Sequence, residues 1–249
     1  MPDTRDTLHL AARILLLPVL LGQAAFVRKR YIALPEPTGD RTGTIGHGPP
    51  LRLLILGDSS AVGVGVARQE QALLGQLTAH LSTHATVTYH LHAVTGAKTS
   101  DVLAWLDTLQ EGPYDVVVTA LGVNDVTKAV SRRRWQRQQT ALLDRLTTQF
   151  GARKIVVSGL PPMGQFPLLP HPLRWVLGRQ AARFDRHLEA IVAARPACVI
   201  ARIDLGLDEM NMSEDGFHPG PVVYAAWADA IARIILADRE LLDGMQGAP

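Results

Sequence analysis

Cysteine is nearly absent: Cys198 stands alone in 249 residues. No intrachain disulfide can form, which suits a reducing compartment and leaves the periplasm open. The residue sits in the apolar run Ala197-Cys198-Val199-Ile200, where a thiol acts as a small core side chain. Charge is also sparse, at 19% of residues with a formal net charge of +2, so no electrostatic footprint for nucleic acid is present. The 47% hydrophobic content excludes a disordered chain. Gly57, Gly63 and Gly65 are loosely spaced and no Gly-Lys-Ser/Thr follows them, so the phosphate cradle of a nucleotide-binding loop is missing. His90 and His92 project from one strand face, but no third ligand stands at the spacing of a zinc site. There is no internal repeat.

The uncharged stretch 14–27 falls short of the roughly 20 apolar residues that span a bilayer. Extending it back to Leu8 supplies the length but includes His9 and Arg13, and Arg28-Lys29-Arg30 follows at once. Three roles compete for residues 1–34: a signal-peptide core, a helix packed on the domain, or a membrane-associated anchor whose basic cluster meets anionic headgroups. The anchor is the favoured expectation, with residues 8–30 touching the membrane. Basic residues on the C-terminal side would keep the main domain cytoplasmic, with a periplasmic or secreted protein as the alternative. Residues 35–50 are dense in proline and glycine and read as a linker. A domain over 51–240 and a tail over 241–249 complete the organisation.

Within that domain hydrophobic periods alternate. Buried-strand runs occur at 51–57, 86–92, 114–121, 154–159 and 197–201. Helical spacing links Leu73, Leu74, Leu77 and Leu81, then Val102, Leu103, Leu106 and Leu109, then Trp135, Leu142, Leu146 and Phe150. It returns at Leu177, Ala181, Phe184, Leu188 and Ile191, and at Val223, Ala226, Trp227, Ala230, Ile231 and Ile234. Strands alternating with helices predict an α/β fold with a five-stranded parallel sheet covered on both faces. Residues 161–175 break the rhythm with five prolines in an apolar segment. Phe166, Leu168, Leu169 and Trp175 are its candidate substrate-binding residues, as a wall or lid beside a site; a plain cover for the core edge is the alternative.

Open α/β sheets bind ligands at the carboxyl ends of their strands. The first strand ends in Gly57-Asp58-Ser59, the second leads to Gly96, the third to Gly122-Val123-Asn124-Asp125, and Asp215-Gly216-Phe217-His218-Pro219 precedes the last helix. Singly, each is a turn or a helix cap. Jointly they supply the parts of acyl transfer. Ser59 is the candidate nucleophile, His218 its base, and Asp215 the acid that orients the imidazole. The N–H groups of Ser59 and Gly96 and the side-chain amide of Asn124 are candidate donors to an oxyanion.

These four blocks, in this order, resemble the SGNH hydrolases, also called the GDSL lipase/esterase family, over residues 51–238. The resemblance implies a flavodoxin-like three-layer α/β/α sandwich, a Ser59–His218–Asp215 triad, an oxyanion hole of Ser59, Gly96 and Asn124, and no metal or cofactor. Ser60 replaces the leucine of the family's name, a position that varies. The expected activity is hydrolysis of carboxylic esters, either acyl oxyesters or thioesters, of a small-molecule or lipid-derived substrate. A carbohydrate O-deacetylase and a non-catalytic binding protein are the alternatives. Arg132, Arg133 and Arg134 form either a headgroup contact or a solvated helix face.

Overall fold

The computed structural model describes residues 15–109, 112–239 and 241. Most of the expected membrane-contact segment is described; residues 8–14 of it, and residues 242–249 of the expected tail, lie outside. The fold is built around the strand β2 (Pro50–Gly57). Side chains alternate along a strand. Leu51, Leu53 and Ile55 accordingly enter one core, and Leu54 and Leu56 the other. Leu53, Leu54 and Ile55 are fully buried, as a strand covered on both faces requires.

The other parallel strands are β3 (Thr86–Ala93), β4 (Val116–Ala120), β5 (Lys154–Ser158) and β6 (Cys198–Ala201). Before β2 lies β1 (Thr42–Ile45), and the sheet order is β1-β3-β2-β4-β5-β6. The expected linker over 35–50 is therefore corrected: it carries a sixth strand, antiparallel to β3 at the sheet edge. Four residues with a glycine among them give too short a pattern to stand out from the surrounding prolines and glycines. Once in place they gain a ladder to β3 and a contact between the Thr44 and Thr88 hydroxyls at 3.1 Å.

Helices cover both faces. On one lie α3 (Leu73–Leu81) and α8 (Pro221–Leu236), packed through Leu73, Leu77, Tyr224 and Ile231. On the other lie α4 (Thr99–Trp105), α6 (Arg132–Thr148) and α7 (Leu173–Ala193), packed through Val102, Trp135, Leu142 and Phe184. The three-layer α/β/α sandwich is thus present. Two short helices, α2 (Ser59–Val62) and α5 (Val123–Thr127), sit directly after β2 and β4. The segment 161–175 is a loop with one 3-10 turn, Met163–Gln165, up to the start of α7.

Ahead of the sheet, α1 (Leu17–Arg30) packs on α7. Gln23 clamps it there, accepting from the Leu173 N–H at 2.9 Å and donating to the His171 carbonyl at 2.5 Å. Only Leu20 of this helix is buried, while Leu17, Val19, Leu21 and Phe26 are exposed. Among the described residues no helix is long and apolar enough to cross a membrane.

Counting only the parallel strands, the chain steps from β2 to β3 on one side, then crosses back to β4 on the other. This reversal is the switch point at which open α/β sheets form their crevice. The loops leaving β2, β3 and β4 therefore meet at one place.

Candidate active site

Ser59 begins α2. Asp58 caps that helix, its Oδ1 accepting from the Ser60 N–H at 3.0 Å. Gly57 makes the tight exit from β2: a Cβ there would lie 2.4 Å from the Ala61 Cβ and 2.7 Å from the Ala120 carbonyl oxygen. As the first helical residue, Ser59 has a backbone N–H with no intrahelical acceptor.

The His218 Nε2 lies 2.9 Å from the Ser59 Oγ, and its Nδ1 lies 2.5 Å from the Asp215 Oδ2. A carboxylate at Nδ1 fixes that nitrogen as the protonated one, so Nε2 accepts from the serine hydroxyl. All three side chains are buried, with Ser59 7% and His218 2% exposed. The other Asp215 oxygen accepts from the Ser213 hydroxyl at 2.7 Å and from the Phe217 and His218 N–H groups, each at 2.9 Å. Burial works to raise the Asp215 pKa. The hydrogen bonds from the His218 ring and from the two backbone N–H groups outweigh it, and the pKa falls to about 2.

Asn124 lies in α5, and its Nδ2 donates to the Asp58 Oδ2 at 3.0 Å, leaving a second N–H on the same nitrogen. Asp58 is buried, and desolvation pushes its pKa up to about 6 against the stabilising N–H of Ser60. Gly96 adopts φ +82°, in the left-handed region that glycine enters without strain. The space where its Cβ would stand holds only the Lys128 Nζ, 3.8 Å away, so the backbone is open to a ligand. That ammonium donates to the Gly96 carbonyl at 2.6 Å. The loop is pinned from below by Asp125, whose Oδ2 accepts from the Thr99 N–H at 3.1 Å and hydroxyl at 2.9 Å. Asp125 thus ties the glycine loop to the asparagine loop. Burial raises its pKa.

Beside Ser59 a pocket of about 180 Å³ runs along the carboxyl ends of the strands toward β6. Leu160, Phe166, Ile203, Leu205, Met212 and Trp227 are among its walls. The Trp227 indole N–H donates to the Ser158 hydroxyl at 3.0 Å, so these two polar groups satisfy each other.

The four expected substrate-binding residues divide. Phe166 lines the pocket; Leu168, Leu169 and Trp175 do not. Leu169 is packed into the core, Leu168 is half-buried with its N–H bonded to the Gly216 carbonyl, and Trp175 lies in the first turn of α7, 37% exposed. The apolar composition of the loop marked burial without saying against what. Further apolar walls come from Leu205, Leu207, Met212, Val223 and Trp227, which share no motif in the sequence. His90 and His92 meet edge to face at 6.0 Å. Among the described residues no group of three His, Cys, Asp or Glu side chains is placed to hold a metal. Arg132, Arg133 and Arg134 lie exposed in the first turn of α6.

The sequence model of the GDSL-like lipase/acylhydrolase family matches residues 55–226, most of the domain and all four loops. This chain belongs to that family. The hydrolase is 28% identical to the GDSL-like esterase Rv1075c of Mycobacterium tuberculosis over 250 residues, covering 90% of this chain and 77% of that protein. Its fold is shared with the crystal structure of TesA, at a TM-score of 0.61 and 21% identity, over 76% of this chain and 99% of that one. It is also shared with a Clostridium thermocellum family 3 carbohydrate esterase, at a TM-score of 0.60 and 16% identity, over 80% of this chain and 100% of that one. The hydrolase is a carboxylic ester hydrolase, as its family and its GDSL-like esterase relative indicate.

Proposed function

We propose that the hydrolase cleaves esters or thioesters of apolar acyl groups through an acyl-enzyme on Ser59, with His218 as general base. The observation that carries this is the apolar pocket opening beside a serine hydroxyl already 2.9 Å from an imidazole nitrogen. The Ser59 Oγ attacks the acyl carbon as its proton passes to the His218 Nε2. The imidazolium that forms is balanced by the buried Asp215 carboxylate, which stays ionised down to about pH 2. The negative charge developing on the carbonyl oxygen is met by the Ser59 and Gly96 N–H groups and by the free N–H of Asn124, each fixed before substrate arrives. His218 then returns the proton to the leaving oxygen or sulfur. Water, deprotonated by the same nitrogen, releases the acid and restores the serine. The acyl chain occupies the pocket, where each buried methylene contributes about 0.8 kcal/mol.

A chain-length series of p-nitrophenyl esters tests the pocket, with a rise in kcat/KM beyond acetate expected. Strict preference for acetate would refute the acyl-pocket assignment and favour an O-deacetylase. Fluorophosphonate labelling of the wild type but not of Ser59→Ala is expected; an unlabelled folded wild type would point to a binding protein.

We further infer that α1 lies on an anionic membrane surface with the domain on the cytoplasmic side. The helix exposes Leu17, Val19, Leu21 and Phe26 around its circumference and ends in Arg28, Lys29 and Arg30, apolar side chains beside a cluster that anionic headgroups attract. Cosedimentation with phosphatidylglycerol vesicles, weakened by salt and by Arg28→Ala/Lys29→Ala/Arg30→Ala, is expected. Equal recovery with neutral and anionic vesicles would refute the headgroup contact.

A further inference from the structure

The residues between α1 and β1 run beside the site, against His218, the end of α2 and the Thr95–Gly96 loop. Tyr31 caps α1, its N–H donating to the Val27 carbonyl at 2.8 Å, and its ring lies 6.4 Å from the His218 ring. Burial, with the Asp215 charge behind it, pushes the Tyr31 hydroxyl pKa up. Pro37 is buried against Gly63, just past α2. Thr38 pairs with the chain beyond it, its N–H donating to the Ala67 carbonyl at 3.1 Å and its carbonyl accepting from the Gln69 N–H at 2.8 Å. Glu36 reaches the remaining loop: its Oε1 accepts from the Thr95 hydroxyl at 2.6 Å. The other oxygen, Oε2, pairs with Arg41 at 2.5 Å, and Arg41 donates to the Ala93 carbonyl at the end of β3.

Thr95 immediately precedes Gly96, and the Gly96 N–H belongs to the peptide that joins them. A glycine at φ +82° with open space beside it has little of its own to hold that peptide still. Lys128 grips the next peptide, at the Gly96 carbonyl. The Thr95 side is held by Glu36.

We propose that residues 31–41 form a strap that completes the active site, and that Glu36, acting through the Thr95 hydroxyl, is a positioning residue for the Gly96 N–H donor. The strap precedes residue 55, where the family match begins. This inference rests on Gly96 being an oxyanion donor, as proposed above.

The test is steady-state hydrolysis of a p-nitrophenyl ester by full-length variants, each with its thermal melt recorded. Glu36→Ala and Thr95→Val are each expected to lower kcat about 5–30-fold with KM within about twofold, because a displaced donor is missed mainly in the transition state. Glu36→Gln, whose amide oxygen still accepts from Thr95, should recover most of the loss although it abolishes the Arg41 ion pair. The Glu36→Ala/Thr95→Val double variant should be no slower than either single one, the signature of one shared contact. Should Glu36→Ala fold poorly, Thr95→Val, which is nearly isosteric, carries the measurement. Wild-type kcat in Thr95→Val, or fully additive losses in the double variant, would overturn the proposal. Asn124→Ala separates the two levels: if it keeps full kcat the oxyanion assignment has failed, whereas if it slows as expected and the Glu36 and Thr95 variants do not, only the strap has.

Discussion

Asp58→Asn should gain stability on the wild type as pH rises and should be less active, and both effects follow from one buried carboxylate. Asp58 is 3% exposed, caps α2 through the Ser60 N–H and accepts from the Asn124 amide. Asparagine caps a helix as well as aspartate does, so its oxygen keeps the Ser60 N–H, while its NH2 takes the place of the oxygen that accepts from Asn124. The Asp58 pKa is raised by burial from 3.8 to about 6. A raised acid pKa means the folded state holds its proton longer than the unfolded chain does. The native protein therefore carries the full contribution below pH 3.8 and loses it as pH climbs through about 6. That interval corresponds to about 3 kcal/mol. The variant lacks this loss, so its stability relative to the wild type should rise by about 3 kcal/mol between pH 4 and pH 7. Urea unfolding followed by tryptophan fluorescence at pH 4, 5, 6 and 7 measures it. At the same time the Asn124 amide loses the charged oxygen it donates to and faces an amide N–H instead. Hydrogen bonds to charged groups contribute about 1.5–3 kcal/mol, so kcat should fall about 10–100-fold. A stability difference between the two proteins that is flat with pH would refute the reasoning, since it would mean Asp58 is ionised in the folded state as readily as in the unfolded one.

Asp215→Asn should leave the fold in place and lower kcat by about 10⁴, because an amide favours the wrong imidazole tautomer and cannot balance the imidazolium; a loss below about tenfold in the same kinetic assay would count against the proton relay. Ile203→Trp narrows the acyl pocket, and should move the optimum of the ester series to shorter chains with kcat on acetate held within about threefold; an unchanged chain-length profile would place the acyl group elsewhere. Asn124→Ala should cost about 2.7–4 kcal/mol in kcat, read as a 10²–10³-fold loss with KM little changed.

The alternation of the five parallel strands with the longer helices between them was legible in the chain. Runs such as Leu53-Leu54-Ile55 and Val116-Val117-Val118 are apolar on both strand faces, and only a sheet covered twice accommodates them. The convergence of the candidate site residues was legible for a related reason. Ser59, Gly96, Asn124, Asp215 and His218 each follow or precede a recognisable element, so a parallel sheet brings them to one rim regardless of the chain length between them. Short-range patterns failed where the partner lay far off. β1 has four residues, and its pairing energy comes from β3, more than forty positions later in the register Thr42–His90. Trp175 and Leu169 carried the right chemistry for a substrate wall but were drawn to α7 and the core.

Local periodicity and loop chemistry are properties of neighbouring residues, and those the amino-acid sequence determined unaided: the α/β alternation and the four loops that bear reactive groups. Tertiary structure alone decided which side chains wall the pocket, that Asp58 holds Asn124, and that a stretch rich in proline and glycine lies beside the site with Glu36 against Thr95. Each of these is a contact between segments whose own patterns carry no record of the other, and it exists only once burial of the sheet has fixed where both must lie.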